Sequence, residues 1–324
     1  MRSYRVPALL CALLLDEVVR DPAQRHPVAV FGSAAGSLER WFWRDDRGAG
    51  IRYVVWCVGL PAAVAAVVQG VLGRGRLGCV ALAGVSWVAI GGSSLRREGH
   101  RMADLLAAGD LDAARRGLGN LCGRDASALD ETDLARATVE SIAENTSDAV
   151  VAPLWWAACG GLPGVVAYRA VNTLDAMVGH RTPRHRSFGW AAARLDDVAN
   201  VAPARLTALL ACGLAPLVGG APGRSWRILR RDGGRHPSPN AGRCEAAFAG
   251  ALDVRLGGTN SYGGESEQRG PHGDGRVVTA TDIGRATRLS AAVGVASSVL
   301  LATAVAQDLP GRLLRAAGRA LRWA

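Results

Sequence analysis

Apolar runs long enough to cross a bilayer alternate along this chain with blocks in which carboxylates, amides and arginines are concentrated. The stretch 53–72, "YVVWCVGLPAAVAAVVQGVL", carries no charge over 20 residues, and 77–95, "LGCVALAGVSWVAIGGSSL", none over 19. Each predicts a membrane-spanning helix. Comparable runs occupy 149–168, 201–223 (interrupted by Arg205) and 289–307. A shorter one, 6–19, follows a basic start as a secretory signal would, but Asp16 and Glu17 stand where a small-residue cleavage site belongs. It reads as a retained helix that delivers Asp16 and "RDPAQRHP" to one membrane face.

Between these runs lie polar blocks at 20–52, 96–148, 169–200 and 223–288. Within 96–148, "GDLDAARRGL" and "DETDLARATVESIAEN" show helical spacing behind acidic starts. The segment "GGESEQRGPHGDGR", 263–276, has the composition of a mobile loop. The pattern predicts an all-α, multi-pass membrane bundle forming one membrane-embedded domain over 1–324. One run is unlike the others. If 149–168 crossed once, the polar motifs on its two sides would face opposite compartments. The break Gly-Gly-Leu-Pro-Gly at 160–164 predicts instead a re-entrant pair of short helices returning to the same face, tolerated at membrane depth where protein buries the irregular backbone.

Composition sharpens this. Of 324 residues 49% are hydrophobic, and mean hydropathy is +0.12, high for a soluble domain. The 38 basic residues are all arginine, giving a formal net charge of +10. A chain without lysine has no P-loop lysine and no Schiff-base lysine. The arginines are spread through membrane-flanking loops, so nucleic acid is not the expected partner; Arg96, Arg97 and Arg101 place the 96–148 loop in the cytoplasm. Seven cysteines form no CxxC pair and read as small buried hydrophobes.

The candidate chemistry sits where polar blocks meet apolar runs. Glu140, Glu144 and Asp148 recur every four residues, forming one helical stripe with Asn145 beside it. Like charges at that spacing repel unless a cation or arginines sit on them. Asn172 and Asp175 lie one turn apart in a second set, and Asp196, Asp197 and Asn200 form a third, with Arg169, Arg194 and Arg205 nearby. Carboxylates with amides are oxygen ligands suited to Mg²⁺, which in turn carries phosphates, and arginines clamp phosphate or carboxylate bidentately. Ser238, Asn240, Asn260 and Tyr262 are displayed on tight turns. The residues alone define a membrane-edge site for phosphate and carboxylate. A Mg²⁺-dependent polyprenyl or phosphoalcohol transferase shares this pattern, and so does a transporter or signalling protein without activity. The first requires a lipid-sized tunnel, the second acid sets paired off with arginines.

The motifs "LLLDEVVRDPAQRHPV", "ESIAENTSDAVVAPL", "GGLPGVVAYRAVNTLDAMVGH", "FGWAAARLDDVANVAPARLTALL" and "HPSPNAGRCEAAFAGALDVRLGG" together resemble the adenosylcobinamide-phosphate synthases. These are the multi-pass membrane proteins called CobD or CbiB in cobalamin biosynthesis. The resemblance runs from about residue 10 to about 290 with the motifs in order; 265–276 is its main departure. It implies ATP-driven, Mg²⁺-dependent amide formation between a propionate of adenosylcobyric acid and the amine of aminopropanol phosphate or a related amino alcohol. On that reading Glu140, Glu144, Asp148, Asp196 and Asp197 hold the metal, with Glu144 and Asp197 also catalytic. Asp175 takes the proton of the attacking amine, and Arg169, Arg194 or Arg205 holds the phosphate. Asn145, Asn172, Asn200, Ser238, Asn240, Asn260 and Tyr262 complete the substrate site. The implied location is the cell membrane, with the site facing the cytoplasm, lipid around the spans, and other corrinoid-pathway membrane enzymes as possible associates.

Overall fold

The computed structural model describes residues 4–19, 26–180, 182–262 and 265–308, with the backbone alone for 259–269. Along the chain run α1 (Arg5–Val18), α2 (Pro27–Phe42), α3 (Arg47–Leu72), α4 (Arg76–Ala89), α5 (Gly92–Ala107), α6 (Leu111–Leu118) and α7 (Glu131–Thr146). A π-helical turn, Ser147–Val151, leads into α8 (Ala152–Leu174), and a second, Asp175–Gly179, follows it. Next come α9 (Trp190–Ala199), α10 (Val201–Leu214) with a 3₁₀ turn at Ala215–Val218, α11 (Pro222–Asp232) and α12 (Ala241–Leu252). A hairpin of β1 (Leu256–Tyr262) and β2 (Glu265–His272) precedes α13 (Ala280–Ala306). The described residues pack as two compact units, those within 1–90, 153–196 and 296–308 in one and those within 91–152 and 197–295 in the other.

Among the described residues five helical stretches are long and apolar enough to cross a membrane: Arg47–Leu72, Arg76–Ala107, Glu131–Gly179, Val201–Val218 and Ala280–Ala306. They coincide with the five long apolar runs. α3 shows why water is not their solvent. Val55, Trp56, Leu60, Val64, Val67 and Val71 are each more than half exposed along it, a continuous apolar face that a soluble protein would bury. At 14 residues, α1 reaches only about 21 Å and is short for a span by itself.

In the first unit, one end of α3 packs Tyr53 and Val54 against Leu174, Val178 and Phe188. Gly50 lies so close to the Phe188 carbonyl that a Cβ would overlap it. Gly50→Ala is therefore expected to lower stability by about 1–3 kcal/mol as packed backbone is pushed apart, read as an earlier melting transition in detergent.

The break expected at 160–164 falls at Gly161, whose φ of 67° and ψ of −147° interrupt α8. Pro163 follows, and Gly164 packs against the Trp156 carbonyl. A break strands backbone groups on both sides, and two side chains meet them. Arg5 Nη1 donates to the Ala158 and Cys159 carbonyls at 2.9 and 3.2 Å. The Leu162 N–H donates to Gln69 Oε1 at 2.9 Å.

In the second unit, α5, α6, α7, α10, α12 and the first half of α13 share one core containing Leu134, Ile142, Ala208, Phe248, Leu252, Ile283 and Leu289. Here one expectation fails. The segment read as a mobile loop is largely a β-strand, β2 pairing antiparallel with β1 from Leu256–His272 to Tyr262–Glu265. Buried carboxylates fix the base of this hairpin, a signal that local composition does not carry. The Gly257 N–H donates to Glu140 Oε1 at 2.7 Å, and the Gly273 N–H to Asp232 Oδ2 at 2.9 Å. His272 Nδ1 lies 3.2 Å from Glu245 Oε2, both side chains being fully buried. Burial pushes the Asp232 carboxyl up, but hydrogen bonds from Arg231 and Gly273 more than offset it, and the net shift is downward.

Candidate functional site

α7 begins at the Asp130 cap, whose carboxylate accepts from the Asp133 N–H, and carries the acidic stripe toward its C-terminal end. The stripe divides in two. Glu140 is buried, and its carboxylate is enclosed by donors: Arg124 Nη2 at 2.7 Å, Arg136 Nη1 at 3.1 Å and the Gly257 N–H. A carboxylate held in this way is structural. It leaves the metal set proposed from sequence, because binding a cation there would mean expelling two guanidiniums. Arg136 stands four residues before Glu140, a spacing at which the pair is readable in the sequence; Arg124 is not.

Glu144 and Asp148 are only partly buried. Asp148 sits in the π-helical turn Ser147–Val151, and Asp175 opens the other one, Asp175–Gly179. Such turns widen the backbone and re-aim side chains, and they recur at functional sites. No sequence period announces them. Asn145 turns back to the Ser141 carbonyl and hydroxyl.

α12 packs against α7, and α10 against the 147–151 turn. Cys244, near the start of α12, is buried and its thiol is pushed well above the usual range, by burial first and then by the charges of Asp148 and Glu144. Those two carboxylates therefore face the first turns of α12. At its N-cap, Asn240 Nδ2 donates to the Asp197 carbonyl at 2.7 Å while its Oδ1 accepts from Arg205 Nη1 at 3.3 Å. Ser238 Oγ accepts from the N–H groups of Asn240 and Ala241, capping the helix. Asn200 is buried. Arg243, unmarked in the sequence reading, stands one turn into α12 close enough to Arg205 for the two charges to interact. Its Nε is buried without a hydrogen-bond partner. Two guanidiniums at a helix N-terminus concentrate positive charge of the kind that attracts anions.

Glu144, Asp148, Arg205, Ser238, Asn240 and the Asp197 carbonyl thus gather around one end of α12, with Asn200 buried at the start of α10. In the first unit Arg169 Nη1 donates to Asn172 Oδ1 at 3.1 Å, and Asn172 Nδ2 donates to Asp196 Oδ1 at 3.4 Å. Asp175 lies against Gly179, and Arg194 is on α9. Asn260 and Tyr262 stand opposite Glu267 and Glu265 in the hairpin register; their side chains lie outside the described residues. Among the described residues no three His, Cys, Asp or Glu side chains gather as metal ligands. The arrangement fits a cation carried on one or two carboxylates and completed by phosphate oxygens, the usual habit of Mg²⁺, and not a closed protein cage.

The apolar helices define an all-α, multi-pass membrane protein, with carboxylates and arginines gathered at one end of α12. A family model described as CobD/Cbib protein matches residues 9–290. The chain belongs to the CobD/Cbib family, and it is a biosynthetic enzyme of the cobalamin pathway. It is 50% identical over 306 residues to the cobalamin biosynthesis protein CobD of Mycobacterium tuberculosis H37Rv, covering 94% of this chain and 97% of that one. The namesake from Geobacter metallireducens is 45% identical over 82% of this chain and 86% of its own. That from Halalkalibacterium halodurans is 39% identical over 87% and 91%. No solved structure matches the chain.

Proposed function

We propose that the protein joins a propionate carboxylate of adenosylcobyric acid to the amine of aminopropanol phosphate, or a related amino alcohol, at the cytoplasmic face of the cell membrane, with ATP supplying the driving force. The observation that supports this reading is the start of α12, where Arg205 bonds Asn240 and stands near Arg243, and where the partly buried Glu144 and Asp148 act on the neighbouring Cys244.

A free carboxylate does not acylate an amine. It is first phosphorylated by ATP, releasing ADP, and the neutral amine then displaces phosphate while its proton passes to a carboxylate. In this chain Arg205 and Arg243 hold the phosphate of the amino alcohol, setting the amine at a fixed distance from the reacting carbon. Glu144 and Asp148 would hold Mg²⁺, which would supply charge neutralisation during phosphoryl transfer. Asp197 accepts the amine proton, a step that works best near the carboxylate's own titration range. The Arg169–Asn172–Asp196 chain orders a second anion-reading surface.

Purified protein in detergent with adenosylcobyric acid, aminopropanol phosphate, ATP and Mg²⁺ should yield the amide by mass spectrometry, with ADP formed in step. A folded preparation that leaves both substrates intact would overturn the assignment. Arg243→Gln should raise the KM for the amino-alcohol phosphate about ten- to a hundredfold, the worth of a hydrogen bond to a charged group, and leave the KM for ATP unchanged. An equal rise in both constants would move these arginines to the nucleotide.

A further inference from the structure

By length and composition Val201–Val218 qualifies as a membrane span, but its neighbours argue against a crossing. α11 runs antiparallel along it. Ser225 Oγ donates to the Ala247 carbonyl of α12 at 2.7 Å and lies 3.1 Å from Cys212 Sγ of α10. At its other end Gly233 packs against the Cα of Arg243, at the level where Arg205 meets Asn240. α11 therefore covers α10 from Cys212 back toward Arg205. Arg227 and Arg230 fall between those levels and are exposed. Among the described residues neither carries a hydrogen bond or ion pair.

If α10 crossed the bilayer starting from Val201, its rise would carry Cys212 about 16 Å inward. Arg227, half a turn beyond the Ser225 contact, would then lie about 13 Å deep, close to the midplane of a hydrocarbon core about 30 Å thick. An arginine placed there is strongly disfavoured, and two without partners on a helix that faces outward are more so.

The exposed faces point to a different arrangement. On α10, Leu209 is 52% exposed and lies outside the buried face of Ala204, Ala208, Ala211 and Cys212, and Leu217, in the 3₁₀ turn that follows, is 61% exposed. Alongside, α11 offers Trp226 at 45% exposure together with the two arginines. Apolar side chains below, an indole at the boundary and guanidiniums reaching phosphates are the composition of a helix pair resting in the interfacial zone.

We propose that α10 lies in the plane of the membrane surface and does not cross it, with Leu209 and Leu217 dipping into the acyl region and Arg227 and Arg230 engaging anionic headgroups. Both ends of α10 then share one side of the membrane. This places Arg205 and Asn240 at the bilayer surface, whatever reaction they serve.

The test is side-specific labelling in sealed vesicles. In a background with all seven cysteines replaced, Val198→Cys and Ala221→Cys are each exposed to an impermeant maleimide from outside and from within. Both should react from the same side. Labelling from opposite sides would overturn the proposal. Should the cysteine-free protein fail to fold, the wild-type protein can be photolabelled with a lipid-soluble carbene precursor and mapped by mass spectrometry. The expected pattern marks Leu209 and Leu217 and spares Arg227 and Arg230. Modification through 227–230 at the level of Leu209, or none at Leu209, would refute the arrangement.

Discussion

Glu140→Ala is expected to destabilise the protein by about 3–5 kcal/mol, the cost of stranding a buried charge whose partner is removed. The Arg124 side chain is 3% exposed and that of Glu140 2%, so neither can recover water without opening the core. The loss also releases the Gly257 N–H, freeing one anchor of the β1–β2 hairpin. Melting in detergent should show the transition fall by many degrees, with activity lost at temperatures where the wild-type protein is intact. Glu140→Gln keeps the shape and part of the bonding, and should fall between the two. Removing the buried pair, as Glu140→Leu with Arg124→Leu, should recover part of the loss, because it leaves no stranded Arg124 charge while Arg136 keeps its bond to Asp133. If Glu140→Ala melts with the wild-type protein, the cluster is not holding the second unit together.

One turn further along the same helix the opposite outcome is expected. Glu144→Gln should lower turnover by roughly a hundredfold or more, as loss of metal or proton assistance implies, while the melting transition stays in place or rises. Glu144 is partly buried and stands near Asp148, both acting on Cys244; deleting one of these like charges relieves repulsion. Asp197→Asn should behave in the same way, since the Asp197 group touched by Asn240 is its backbone carbonyl, which the substitution keeps. Product formation measured beside a melting curve separates the cases. Full turnover in both variants would leave Glu144 and Asp197 as a solvated face and remove them from the site.

These contrasts mark what the sequence could and could not disclose. The apolar runs and the break at Gly161 were legible because hydrophobic length and a Gly–Pro cluster are local properties. The stripe of Glu140, Glu144 and Asp148 was legible as a set, but its division into one structural and two accessible carboxylates was not. Arg124 and Gly257 reach Glu140 from 16 and 117 residues away, distances at which no period operates. The hairpin was missed for a related reason: its residues are those of a loop, and buried acids on three helices fix its base. Arg243 was overlooked because a lone arginine on an apolar helix has no pattern until Arg205 is beside it. The His236–Glu245–His272 contacts belong to the same category.

The caps on the broken helix α8 also bear on how the chain is made. Arg5 and Gln69, which satisfy the carbonyls and the N–H group stranded by the kink at Gly161, both lie upstream of it. A chain emerging from its N-terminus thus has both partners synthesised before residue 161 leaves the ribosome, and the kink can enter lipid with its hydrogen-bond partners waiting. A circular permutant that moved α1 behind α13 would leave Gln69 ahead of the kink but bring Arg5, the partner of the Ala158 and Cys159 carbonyls, after it. Its defect should appear in the yield of inserted protein, not in the stability of the molecules that succeed.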